Sequence, residues 1–257
     1  MDMIERRIEM PKFVDDSVAM ATHNIGGSTF AFTAADIKAL GAEMYTLGVV
    51  VVDVSGSTAG YRKQMESALA EIVKACRLNP RADSMMLRVV TFDTQLKEYH
   101  GFKPLPNCNE LDYVDSCVPG GYTCLYDAVY EAVHSCIEYG KQLSSHDYTV
   151  NAAIFVITDG EDNMSRSTAK MCKDAFAEAT HSEALESLMS VLIGVGATGS
   201  LNSYLQAFKD EAGFQQYVAI GDADEKTLAK VGGFISLSMS SQSKALGTGG
   251  GSQSLTF

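Results

Sequence analysis

Three short segments carry side chains that could do chemistry together. Asp53-Val54-Ser55-Gly56-Ser57 follows one apolar run. Gly120-Gly121-Tyr122-Thr123 precedes an amphipathic stretch. Thr158-Asp159-Gly160-Glu161 follows a second apolar run. Asp53, Ser55 and Ser57 alternate, so an extended turn can aim their three oxygens the same way. Gly56 permits a sharp backbone between them. Thr123 adds a hydroxyl and Asp159 a second carboxylate. Five oxygen ligands without His or Cys suit a hard cation, Mg2+ ahead of Zn2+, with Mn2+ or Ca2+ as alternatives. Two carboxylates balance the ion formally. Hydroxyls are weak ligands, so a sixth position would hold exchangeable water, which a carboxylate from another molecule could displace.

The elements that must position these segments alternate between strand and helix. Residues 45–53 form an unbroken apolar and β-branched run, the pattern of a strand buried on both faces. Tyr61, Met65, Leu69, Ile72 and Cys76 then recur at helical spacing, with Arg62, Lys63, Glu66 and Lys74 on the other face, until Asn79-Pro80 stops the helix. Residues 85–92 read as a strand, and 96–102 as its antiparallel hairpin neighbour. A second helix has Leu125, Ala128, Val129, Ala132, Val133 and Cys136 on its inner face. Strands at 152–158, 188–195 and 217–220 alternate with helices at 169–179, 201–208 and after Asp224. Such alternation implies parallel βαβ units with right-handed crossovers and helices on both sheet faces. Ligands of open α/β sheets bind beyond the carboxyl ends of the strands, where all three polar segments fall.

Residues 1–43 read as an irregular N-terminal extension, with a Gly26-Gly27 turn and Thr33 as the N-cap of a short helix to Leu40. The main domain is expected over 44–240. Residues 241–257 close a Ser- and Gly-rich stretch and are expected to be flexible and unpacked.

Of 257 residues, 46% are hydrophobic and 20% charged, as in ordinary globular proteins. The run 47–52 is far too short to cross a bilayer, and no secretory h-region follows the charged first residues. Twenty Lys plus Arg against 32 Asp plus Glu give a net charge of −12, which disfavours nucleic acid as a partner. Six cysteines lack any C-x-x-C pair, so reduced, buried thiols are expected, and with them a cytoplasmic location. Zinc at Cys108, Cys117 and Cys124 is a minor alternative. The Asn163-Met164-Ser165 sequon is then a coincidence. The five histidines show no metal spacing and suggest no triad.

In order and spacing, Asp53-x-Ser55-x-Ser57, Thr123 and Thr158-Asp159-Gly160 resemble the metal-ion-dependent adhesion site of the von Willebrand factor A family. The Gly120-Gly121 pair, the Thr-x-Leu-x-x-Ala frame from Thr123 to Ala128 and Ile193-Gly194-Val195-Gly196 are similar to it as well. The resemblance covers roughly residues 44–240. It implies a Rossmann-like open α/β sheet, mostly parallel with one short antiparallel edge strand, and Mg2+ at the carboxyl end. It implies direct ligation by Ser55, Ser57 and Thr123, with Asp53 and Asp159 acting through water. It implies no enzymatic activity but protein binding, with a partner's Asp or Glu completing the shell. With the free thiols, it points to stand-alone intracellular members, scaffolds or adaptors of the kind found in bacterial stress systems.

Several readings compete with this one. Asp53 and Ser57 alone could be a helix cap. Glu161 and Asp162 read as solvated loop charges near the start of the next helix, with a place in the metal shell as the alternative, and Asp127 reads as surface. Tyr122 could line the rim of the site. The G-x-G-x-x-G of residues 194–199 matches a dinucleotide fingerprint, although Asp222 is the nearest candidate for the ribose-binding acid. An enzyme using metal or nucleotide at the same loops is therefore the alternative function. A secreted adhesin is a third.

Overall fold

The computed structural model describes residues 19–26, 30–221, 224–248 and 257. The chain forms an eight-stranded sheet in the order β1-β2-β5-β4-β3-β6-β7-β8. The central strands are β3 (Met44–Asp53), β4 (Met85–Phe92) and β6 (Thr149–Thr158), flanked by β7 (Ser187–Val195) and β8 (Gln216–Ile220). These five run parallel. Their β-branched and apolar side chains are buried on both faces, so the sheet needs helices on each side. Helices α1 (Arg62–Arg77) and α5 (Glu225–Thr248) cover one face. Helices α2 (Leu125–Ser144), α3 (Ala169–His181) and α4 (Gly199–Ala212) cover the other. The fold is thus a Rossmann-like, mostly parallel α/β sheet, as the sequence pattern predicts. Val52 of β3 lies opposite Thr91 and Ile157, which sets the carboxyl ends of three neighbouring strands level.

The N-terminal segment departs from expectation. It is not irregular: β1 (Met20–Asn24) and β2 (Ala31–Ala35) form a hairpin that extends the sheet. Thr33 lies within β2 and caps no helix. The cap is Asp36, whose side chain accepts from the Lys38 N–H at a short 3-10 turn. Alanines are weak strand formers, so this pairing is decided by tertiary contact rather than local propensity. For the same reason the antiparallel strand β5 (Leu96–Pro104) is neither short nor an edge: it pairs with β4 on one side and β2 on the other.

A buried ionic cluster joins the hairpin to the sheet. The Arg88 side chain on β4 is 1% exposed and donates bidentately to Glu131 of α2 at 2.6 and 2.8 Å. Its Nε donates to Glu98 of β5 at 2.7 Å. Glu98 in turn accepts from the backbone N–H and the hydroxyl of Thr33. The guanidinium also lies over the rings of Phe32 and Phe102. Burial alone would push the Glu131 carboxyl up; the arginine opposes this.

The expected flexible tail is corrected as well. Helix α5 runs through Thr248, and Ser238, Met239 and Gln242 within it are buried. Gly48 of β3 leaves the room: a Cβ there would sit 2.4 Å from the Met239 methyl. Asn151 Nδ2 donates to the Gln242 carbonyl at 2.7 Å. Small serines let the helix approach the sheet, a packing role that composition alone reads as low complexity. Residues 249–256, including the triple glycine, lie outside the described residues. So do residues 1–18. Phe257 meets Phe234 of α5 edge-on, centroids 5.7 Å apart. All six cysteines are buried and unpaired.

Removing one member of the ionic cluster strands the others. Arg88→Met should destabilise the fold by about 3–5 kcal/mol. Arg88→Met combined with Glu131→Leu should recover more than half of that. Urea unfolding of the three proteins measures both values.

Candidate metal centre

The first and third polar segments begin where strands end, and the second leads into α2. Asp53 closes β3 and is fully buried. Its carboxylate accepts from the Ser55 N–H at 2.8 Å and the Thr158 hydroxyl at 2.6 Å. The second bond ties the ends of β3 and β6 directly. Ser57 donates to Asp159 at 2.7 Å, and the Ser55 and Ser57 hydroxyls lie 3.1 Å apart. The Ser55–Ser57 turn opens a 3-10 segment, Gly56–Tyr61, with Ser55 rather than Ser57 at the cap position.

Thr123 reaches the same point from the second segment. A Cβ on Gly160 would lie 3.4 Å from Thr123 Oγ1 and 3.8 Å from Asp53 Oδ2, so both oxygens face the glycine after Asp159. The first two segments are laced together: Gly120 N–H donates to the Val54 carbonyl at 2.9 Å and Gly56 N–H to Gly121 at 3.4 Å. Gly121 has φ +67°, and a side chain there would strike Thr94 Oγ1 at 2.4 Å. All five oxygen-bearing side chains predicted from sequence therefore meet at one place.

The electrostatics of that place are unbalanced. Burial pushes the Asp53 carboxyl up, against its hydrogen bonds from Thr158 and Ser55, and the Asp93 charge adds to the rise. Burial likewise pushes Asp159 up, to about 6, with Asp53 contributing. No basic side chain among the described residues offsets either carboxylate. Two carboxylates, three hydroxyls and no soft donor fit a hard divalent ion. Among the described residues, no three His, Cys, Asp or Glu side chains are grouped to hold a metal. This leaves the cysteine-zinc reading without a site. It does not bear on an oxygen shell built mostly from hydroxyls.

The third segment does more than sequence reasoning assigned to it. Asp127 is buried rather than a surface charge: its carboxylate accepts from the N–H groups of Arg166 and Ser167. Loop 159–168 folds over the start of α2 and covers it. Asp162 is not free in solvent either. Its Oδ1 accepts from the Tyr126 N–H at 3.2 Å and the Ser165 hydroxyl at 2.5 Å, capping α2 across the loop. Glu161 remains exposed. Asn163 Oδ1 accepts from the Thr123 N–H at 2.9 Å, a contact that sequence reasoning missed. The density of short polar side chains after Gly160 was the available signal. Tyr122 is 63% exposed beside the site, with its N–H donating to Thr94.

The glycines of the G-x-G-x-x-G segment have local uses. Gly196 and Gly199 have φ of +64° and +54°. A Cβ on Gly194 would strike Leu205 of α4 at 2.7 Å. The Ala197 N–H donates to the Ile220 carbonyl of β8 rather than pointing to an open cradle. Asp222 lies outside the described residues.

No protein-family model matches the sequence, and no curated protein matches it. Solved structures do match, in fold. The chain is similar to the D319A mutant of the PilB minor pilin from Streptococcus sanguinis, with TM-score 0.56 and 16% identity over 85% of this chain and 66% of that one. It is similar to proximal thread matrix protein 1 from mussel byssus, in a structure with a zinc-occupied MIDAS motif, with TM-score 0.51 and 20% identity over 77% of this chain and 46% of that one. It is also similar to the pilus adhesin SpaC from Lactobacillus rhamnosus GG, with TM-score 0.56 and 9% identity over 82% of this chain and 32% of that one. The likeness to these proteins is one of fold, an open α/β sheet with helices on both faces. In each pair the matched region is under two thirds of the other protein's length. No helix among the described residues is long and apolar enough to cross a membrane.

The raised Asp159 carboxyl fixes a sign. Its folded value of about 6 exceeds the ordinary 3.8, so the folded state holds more protons between those limits. Stability from this group is present at low pH and is lost as pH rises through that window. In chelator at pH 7, Asp159→Asn should raise the melting temperature on the order of 2–4 °C, the response of a chain this size to about 1 kcal/mol after allowance for partial exposure. At pH 4 the two proteins should melt nearly together. Thermal scans across pH read the difference.

Proposed function

We propose that the chain is a divalent-cation-dependent protein-binding module, with Asp53, Ser55, Ser57, Thr123 and Asp159 holding Mg2+ and a partner's Asp or Glu completing the shell. The observation that carries this reading is the pair of uncompensated carboxylates, Asp53 and Asp159, converging with three hydroxyls at level strand ends. A protein leaves such charges without a basic partner where a cation supplies the balance. Weak hydroxyl ligands keep the ion electrophilic toward an incoming carboxylate, which suits gripping rather than hydrolysis. Hydrolysis would want a general base poised near the ion, and the carboxylates at the site are already engaged in holding it. The fold likeness to a pilus adhesin and to a matrix protein with an occupied metal motif supports a binding role over a catalytic one. A scaffold or adaptor role in a reducing compartment fits six unpaired, buried thiols.

The test has two layers. Mg2+ should raise the melting temperature of the wild type as binding predicts, and Asp53→Ala with Thr123→Ala should abolish that shift while leaving the far-ultraviolet spectrum unchanged. Affinity purification from native lysate, with both proteins in Mg2+ and in chelator, should recover a partner only with wild type and Mg2+. The same partner in all four samples would place binding on another face and end the functional reading, with the fold unaffected.

A further inference from the structure

Thr123 is the one proposed ligand that arrives from a separate loop with no hydrogen bond from its own hydroxyl to another ligand. What fixes it lies in its peptide groups. The Thr123 N–H donates to Asn163 Oδ1 at 2.9 Å. The Thr123 carbonyl accepts from the Asn163 N–H at 3.0 Å and the Met164 N–H at 3.1 Å. Two adjacent residues therefore grip Thr123 on both sides, across 40 residues of sequence. The grip is anchored: Asp127 holds the N–H groups of Arg166 and Ser167, and Asp162 accepts from the Tyr126 N–H while its own N–H donates to Tyr204. Asp159 starts the same loop. One polypeptide segment thus carries one metal ligand and sets the position of another.

We infer that Asn163 is a positioning residue for the metal site: its side-chain oxygen holds the Thr123 peptide so that the Thr123 hydroxyl faces Asp53 and Asp159. This rests on the metal-binding reading above. Asn163 touches no proposed ligand atom, only the backbone behind one. Groups that hydrogen-bond to ligands rather than to metal typically account for 10- to 100-fold in metal affinity. Asn163 is exposed, so the lower end applies here. The only feature required of residue 163 is an acceptor at this reach, which Asp also offers and Leu does not.

The experiment compares wild type, Asn163→Leu and Asn163→Asp by calorimetric Mg2+ titration and by hydrogen exchange of the Thr123 amide in metal-free protein. Asn163→Leu should weaken Mg2+ about tenfold and speed Thr123 exchange. Asn163→Asp should stay within about threefold of wild type in affinity and keep the amide protected. A purely structural role would lower the melting temperature of Asn163→Leu with its Mg2+ affinity intact, and that result overturns the inference. So does an Asn163→Asp protein as weak as Asn163→Leu, because the acceptor would then be irrelevant. If wild type itself binds no Mg2+, the metal reading fails first and the inference with it. The wild-type titration alone distinguishes this case from the others.

Discussion

The burial of Asp53 is the constraint on which the rest of the site depends. A carboxylate removed from water is costly unless hydrogen bonds or an opposite charge replace the lost hydration. Asp53 has the hydrogen bonds, from Ser55 and Thr158, but no opposite charge among the described residues. Its position at the end of β3 follows from the strand's continuous apolar run, which must lie inside the sheet and therefore carries its last residue inside too. The Thr158 bond then fixes the end of β6, and with it the start of the loop bearing Asp159. The geometry of the first and third segments thus descends from one buried group and the parallel register that sets two strand ends level.

The same chain shows how it treats a buried charge meant to stay paired. Arg88 is as deeply buried as Asp53, yet its guanidinium meets two carboxylates and a serine hydroxyl. Among the described residues, no basic side chain comparably faces Asp53 or Asp159. The described residues therefore contain both arrangements: a permanent ionic partner at Arg88, and carboxylates held by hydrogen bonds alone. On the metal-binding reading proposed above, that contrast is what a cation at the acidic site would resolve. Asn163 also acquires a reason to exist that is independent of its sequon, since its side-chain oxygen is used by Thr123.

How much of this was legible in the sequence follows from how local each signal is. The central strands and all five helices could be read because their apolar periodicity is strong and each buries a whole face. That the five oxygen-bearing residues lie near one another could be anticipated because strand ends place Asp53, Ser55, Ser57 and Asp159 and the start of α2 places Thr123. The N-terminal hairpin was missed because Ala31, Ala34 and Ala35 carry little strand preference. What holds them is Thr33 on Glu98 and the aromatic contacts of Phe32, partners more than 60 residues away. The end of α5 was misread for the opposite reason. Its serines look like linker, yet they are small enough to seat a helix against β3, where Gly48 makes space for Met239.

Asp127 and Asp162 show a third limit, and it explains where the site gets its rigidity. The sequence alone suggests solvated charges at both positions, because charged residues at a helix start are usually exposed. Each is instead consumed by backbone N–H groups, those of Arg166 and Ser167 for Asp127 and that of Tyr126 for Asp162. A loop crossing a helix N-terminus must satisfy its own N–H groups and those of the helix, and carboxylates do this well because they accept several bonds and favour the positive end of the dipole. The loop after β6 is therefore pinned by acids whose oxygens are taken up by backbone N–H groups and a serine hydroxyl, while Asp159 accepts from Ser57.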